Sequence, residues 1–112
     1  MKMTKTYLYL LLISLTFTCT LQAQSVAQSG IAEVNGTRIY YEVAGTGHPL
    51  VLIHGGAVDS RAFDDQFAEF AKHYRVVRYD LRGTGKSGDR DKPFSNTDDL
   101  YGLLQYLGIE SA

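Results

Sequence analysis

Leu50-Val51-Leu52-Ile53-His54-Gly55-Gly56-Ala57 is an apolar run that breaks off in His-Gly-Gly. Four apolar residues without polar alternation read as a strand covered on both faces, and the glycines read as a tight turn at one edge of a sheet. With no Cβ at 55 and 56, a ligand can approach main-chain N–H groups closely. Two such groups aimed at one point stabilise an oxyanion, by about 3 kcal/mol per donor. A bare His-Gly-Gly also suits an ordinary strand-to-helix turn, so the flanking sequence has to decide.

Downstream, Asp59 or Ser60 is placed to cap a helix with Phe63, Phe67, Phe70, Ala71 and Tyr74 on one face. That stripe reads as a core face, with Asp64, Asp65, Glu69 and Lys72 opposite it as a solvated face. Arg75 to Tyr79 is a second short strand, running into Asp80-Leu81-Arg82-Gly83-Thr84-Gly85-Lys86-Ser87-Gly88. Strand, helix and strand make a βαβ unit, whose strands are parallel and share a carboxyl edge. Ligands bind at that edge in open α/β folds, so His54-Gly55-Gly56 and the 80–88 loop are expected side by side. Residues 89–95 form a polar loop. Asn96 or Thr97 then caps a last helix with Asp98 and Asp99 in its first turn, where negative charge suits the helix dipole. Leu100, Leu103, Leu104 and Leu107 mark its buried face, Gly108 stops it, and Ile109 to Ala112 leads toward a further element.

Upstream, Ile31 to Val34 and Thr37 to Val43 flank Asn35-Gly36, a strong hairpin signal because both central residues of a type I′ turn need positive φ. Thr37, Ile39, Tyr41 and Val43 alternate with Arg38, Tyr40 and Glu42, so one face of the second strand is expected to be buried. Ala44 to Pro49 is a loop, with His48 a solvated residue in it, and Leu50 to Ile53 follows as the central strand. Residues 24–30 are small and polar and read as a linker.

The first residues read as an address. Lys2 and Lys5 precede an apolar run from Tyr7 to Phe17, followed by small residues: a secretory signal over 1–23, cleaved after Ala23 or Ala27, implying a secreted or periplasmic protein. The run is too short to span a membrane. The sole cysteine, Cys19, lies within it, so the mature chain would carry no thiol, disulfide or cysteine-based metal site. A lipoprotein signal would need small and aliphatic residues before Cys19, where Thr16-Phe17-Thr18 stands. Eleven Lys and Arg against twelve Asp and Glu give a net charge of −1, with no basic block for nucleic acid or anionic lipid. Neither cofactor nor metal is implied by any spacing of His, Asp and Glu.

Three chemistries compete for the 80–88 loop. Gly85-Lys86-Ser87 suggests a phosphate loop, but the first glycine of that motif is replaced by Asp80, whose carboxylate repels phosphate. A serine nucleophile needs Gly-x-Ser-x-Gly on a strand-to-helix elbow, and Gly85-Lys86-Ser87-Gly88-Asp89 lacks the last glycine, so Ser87 reads as structural. The third uses both loops. Asn35-Gly36 with Tyr40-Tyr41-Glu42, then Leu50 to Gly56, then Tyr79 to Ser87 stand in the order and spacing of the front part of an α/β-hydrolase. From Val34 onward the chain resembles the group that includes prolyl aminopeptidases, carbon–carbon bond hydrolases, esterases and epoxide hydrolases.

The resemblance implies an α/β fold with a partial hydrolase domain over 31–112: an antiparallel hairpin, a βαβ unit and a further helix. It implies that the Gly56 N–H, with Ala57 as second candidate, forms half of an oxyanion hole. It also implies that His54 holds the turn in shape, and that Asp80 and Arg82 brace the neighbouring loop. The family's nucleophile, acid and histidine follow these elements in chain order, so neither His48 nor His73 is the base and the 112 residues alone are expected to be inactive. The expected partner is a small-molecule substrate of the completed enzyme. Two other expectations stay open: a non-catalytic remnant or binding module, and a piece that does not fold alone because a parallel strand lacks a neighbour.

Overall fold

A computed structural model describes residues 27–112. The secretory signal, its cleavage point after Ala23 and Cys19 lie outside the described residues. Strands β1 (Gln28–Val34) and β2 (Thr37–Ala44) are followed by β3 (Pro49–Leu52), a 3₁₀ turn (Ser60–Phe63), helix α1 (Asp64–Phe70), β4 (Arg75–Tyr79) and helix α2 (Asn96–Tyr106). The strands form one mixed sheet in the order β1-β2-β4-β3.

The hairpin turns as expected, with Asn35 at φ 50° and Gly36 at φ 72°. Its first strand starts earlier than the polar composition suggested. Gln28, Ser29 and Gly30 pair with Val43, Glu42 and Tyr41, so the end of the expected linker is strand. The turn sets the register and β2 offers a partner that far along, while Gly30 leaves room for the Tyr41 ring, which a Cβ there would meet at 2.8 Å.

β3 and β4 run parallel, Pro49 beside Arg75 through Leu52 beside Arg78, as the βαβ reading requires. The expected central strand, β3, has a partner on one side only among the described residues. The interior position belongs to β4, which also pairs antiparallel with β2. Val76 and Val77, both fully buried, carry that role.

Each face of the sheet packs a core. Ala32, Ile39, Tyr79 and Leu103 cluster under α2, with Val34, Tyr41 and Leu107 around them. Ala44, Leu52, Phe67 and Val76 cluster under α1, with Leu50, Phe63 and Ala71. β2 meets the first cluster through Ile39 and Tyr41 and the second only through its last residue, Ala44. The aromatic stripe is also narrower than its period implied: Phe67 is buried, whereas Phe70 and Tyr74 are exposed. The first turn of that segment is 3₁₀, which shifts later residues around the axis relative to a continuous α-helix.

Caps account for the start of this helical unit and for both ends of α2. Asp59 accepts from the Arg61 amide and starts the 3₁₀ turn. Ser95, one residue before the expected cap, accepts from the Asp98 amide to start α2. At the other end Gly108 takes φ 68° and the Ile109 amide bonds the Leu104 carbonyl, a Schellman closure. That closure turns Ile109 back toward the sheet, where it is buried.

Candidate active site

Because β3 and β4 are parallel, the loops after them leave the same edge of the sheet. His54 joins them. Its ring is buried, and Nε2 accepts a hydrogen bond from the Leu81 amide at 3.0 Å. A backbone amide only donates, so Nε2 carries no proton, and Nδ1–H donates to the Gly55 carbonyl at 2.7 Å. The Thr84 hydroxyl donates to the Leu81 carbonyl at 2.7 Å and lies 3.3 Å from Nε2, completing the clasp.

This clasp orients the next amide. In a planar trans peptide the carbonyl of one residue and the N–H of the next point in opposite directions. Holding the Gly55 carbonyl on His54 therefore turns the Gly56 N–H away from His54. Neither the Gly56 nor the Ala57 amide donates to a protein acceptor among the described residues. A Cβ at Gly55 or Gly56 would meet nothing within 4 Å, so the approach to these amides is open. Ala57 sits in the left-handed region, φ 62°, which costs a non-glycine residue about 1–2 kcal/mol. Strain at this one position marks the turn as a shape the surroundings enforce.

Asp80 is the second tie between the loops. It is 2% exposed, and its two carboxylate oxygens accept from the Ser60 amide and the Lys86 amide, each at 2.8 Å. Ser87 donates its hydroxyl to the Asp80 carbonyl at 2.6 Å and accepts from the Tyr40 amide at 2.9 Å, a structural role as its context suggested. The Asp80 carboxylate fills the space a phosphate would need: a Cβ at Gly85 would collide with it. The phosphate-loop reading of Gly85-Lys86-Ser87 is thereby overturned, since the loop's anion site is occupied by its own side chain.

Arg82 is buried and pairs with buried Asp99 of α2, Nε to Oδ2 at 3.0 Å and Nη2 to Oδ1 at 2.8 Å. Asn35, at the hairpin tip, donates its amide to Asp99 Oδ1 at 3.2 Å and accepts from Arg82 through its carbonyl at 3.3 Å. Hairpin, loop and helix thus share one ionic joint. Asp99 thus does more than complement the helix dipole. Its spacing from Leu103, four residues on, puts it on the buried face of α2 and was the available signal. Burial, and then the Asp99 carboxylate, pushes the Tyr79 phenol up to about 12.

The two loops border a cleft of about 670 Å³ whose walls include Ala57, Val58, Asp59, Arg61, Thr84 and Gly85. Hydrogen bonds from Arg61 hold the Asp59 carboxyl down at about 2. Among the described residues no group of three or more His, Cys, Asp or Glu side chains is placed to hold a metal ion, and no helix is long and apolar enough to cross a membrane. His48 and His73 both lie exposed, away from the cleft walls.

Residues 50–110 match the family model described as the alpha/beta hydrolase family. The chain is 34% identical over 85 residues to the soluble epoxide hydrolase of Corynebacterium sp. (strain C12), covering 70% of this chain and 29% of that protein. It is 45% identical over 53 residues to the (E)-2-((N-methylformamido)methylene)succinate hydrolase of Acinetobacter baylyi, covering 47% of this chain and 20% of that one. Among solved structures, the enol-lactonase from Burkholderia xenovorans LB400 superimposes with a TM-score of 0.70 at 34% identity, over 74% of this chain and 35% of the other. The chain therefore spans about a third or less of the proteins it matches. With the sheet order, the paired loops and a match over more than half its residues in agreement, the chain belongs to the alpha/beta hydrolase family.

Proposed function

We propose that residues 31–112 are the oxyanion-binding portion of a secreted serine-type hydrolase that cleaves an ester, amide or related bond in a small molecule. The Gly56 N–H is the main donor, with Ala57 beside it. His54 aims the donor, and Asp80 and Arg82 keep the opposing loop in place. As a tetrahedral intermediate forms, charge gathers on the former carbonyl oxygen, and a donor already positioned there lowers the barrier without reorganising. The nucleophile and its acid–base partners are contributed by chain other than the described residues, where the Ser87 hydroxyl is committed to loop structure and Ser60 is buried. Secretion follows from the leader read over 1–23.

The observation that carries this reading is a pair of neighbouring amides without acceptors at the shared carboxyl edge of two parallel strands. The 112 residues alone should give no hydrolysis of a nitrophenyl ester above buffer. Grafted in place of the matching segment of the enol-lactonase, residues 31–112 should support turnover. Gly56→Pro in that graft, which deletes the N–H, should lower kcat by about 10²–10³ with little change in KM. Turnover by the 112 residues alone, or a graft indifferent to the proline, refutes the proposal.

A further inference from the structure

Arg61 stands on the wall of the cleft that Ala57 also lines, four residues after it. Its guanidinium is held on one edge only. Nε donates to Asp59 Oδ1 at 2.9 Å and Oδ2 at 3.2 Å, and Nη2 donates to Oδ2 at 2.8 Å. Asp59 is itself fixed, because Oδ1 also accepts from the Arg61 amide at 3.0 Å. That geometry uses the Nε/Nη2 side of the fork. The other edge, Nη1 with the second N–H of Nη2, has no partner among the described residues, and the side chain is 80% exposed. A planar fork steadied on one edge presents two parallel N–H groups on the other, the shape a carboxylate takes in bidentate contact.

The rest of the wall is consistent with that use. The other cleft carboxylate, Asp64, is bound by Arg78 Nη1 at 2.7 Å, so neither acid in the wall is left without a cation. Ala57, Val58 and Ala62 add apolar surface to the same wall. We infer that Arg61 is a specificity-determining residue which selects substrates carrying a carboxylate a short carbon chain away from the bond under attack. The inference rests on the hydrolase reading above and names the substrate class of the same cleft.

The probe is glutarate, compared with its uncharged diamide, titrated into the ¹⁵N-labelled 112-residue chain at low ionic strength. Glutarate is expected to shift the Arg61 Nε resonance and the amides of Ala57 and Gly85 saturably, and the diamide is expected not to. Arg61→Gln should weaken binding about tenfold or more, and Arg61→Lys severalfold, because an ammonium is a point charge and cannot chelate in plane. Asp59→Asn separates geometry from field. It raises the net positive charge yet loosens the fork, so the inference expects weaker binding, whereas a purely electrostatic site would bind more tightly. Equal response to both probes, no saturable shift, or binding unchanged in Arg61→Gln overturns the inference. Amide exchange at Gly56 and Ala57 is followed in the same samples. Fast exchange there without a glutarate response defeats the Arg61 assignment alone, and protected amides defeat the hydrolase reading beneath it.

Discussion

Replacing Asp99 by alanine should remove a large share of the stability of the fold. Asp99 is 2% exposed, its partner Arg82 is 4% exposed, and the two share a bidentate contact at 3.0 and 2.8 Å. Truncation leaves a buried guanidinium without its counter-ion, which costs about 3–5 kcal/mol, and it strips the Asn35 amide of its acceptor for about 1 kcal/mol more. For a unit of this size, whose total stability is about 4–13 kcal/mol, that loss is a large fraction. Asp99→Asn keeps one acceptor but turns an NH₂ toward Arg82, and should cost about 2–3 kcal/mol. The double variant Arg82→Met, Asp99→Leu removes both charges and fills the volume, so it should be more stable than Asp99→Ala. Urea unfolding followed by circular dichroism gives the three values, with Asp99→Asn as the reading if Asp99→Ala does not fold. A double variant no more stable than Asp99→Ala would show that the cost does not come from an unpaired buried charge, and the reasoning would fail.

Three further outcomes follow from the loops and the core. Gly85→Ala should destabilise by about 2–4 kcal/mol, because a Cβ there runs into the Asp80 carboxylate at φ +49°; a neutral result in urea unfolding would mean that Asp80 is not held in the loop. Ala57→Gly should be neutral or stabilise by up to about 1 kcal/mol, since relief of the left-handed strain slightly exceeds the added freedom of the unfolded chain, whereas Ala57→Val should destabilise. The Tyr79 phenol, raised to about 12 in the fold, favours the folded state fully below the ordinary tyrosine value near 10. Above that value the unfolded chain releases the proton first, so up to about 2 kcal/mol is lost as the pH climbs from 10 to 12, and Tyr79→Phe should flatten this slope in urea midpoints measured across that range.

What could be read in the sequence were features with a local cause. Asn35-Gly36 dictates its turn through φ alone, Leu50 to Ile53 declares itself by continuous apolar character, and Arg75 to Tyr79 by its β-branched pair and short length. The pairing of the His54 and Asp80 loops followed from one crossover rule applied to two strands and a helix. Features that depend on distant partners were hidden. Nothing near Gln28 to Gly30 resembles a strand, and they become one because β2 extends that far beside them. Which strand lies inside the sheet is settled by β2 choosing β4, a contact across more than thirty residues. Asp99, expected only to suit the helix dipole, owes its buried role to Arg82 beneath it, and Ala57 gave no hint of its positive φ because alanine does not seek one. In the site itself, His54, Asp80 and Arg82 each tie a loop through a different bond.

Hydrogen exchange at individual amides tests the central claim most directly, because that claim is about which N–H groups already have acceptors. In the 112-residue chain at neutral pH, Ser60, Leu81 and Lys86 should be protected, by about 10³-fold or as far as global stability allows, since they donate to Asp80 and His54. Gly56 and Ala57 should exchange within about tenfold of an unstructured chain. Protection at Gly56 equal to that at Leu81 would mean its N–H is already taken, and no oxyanion could be received there.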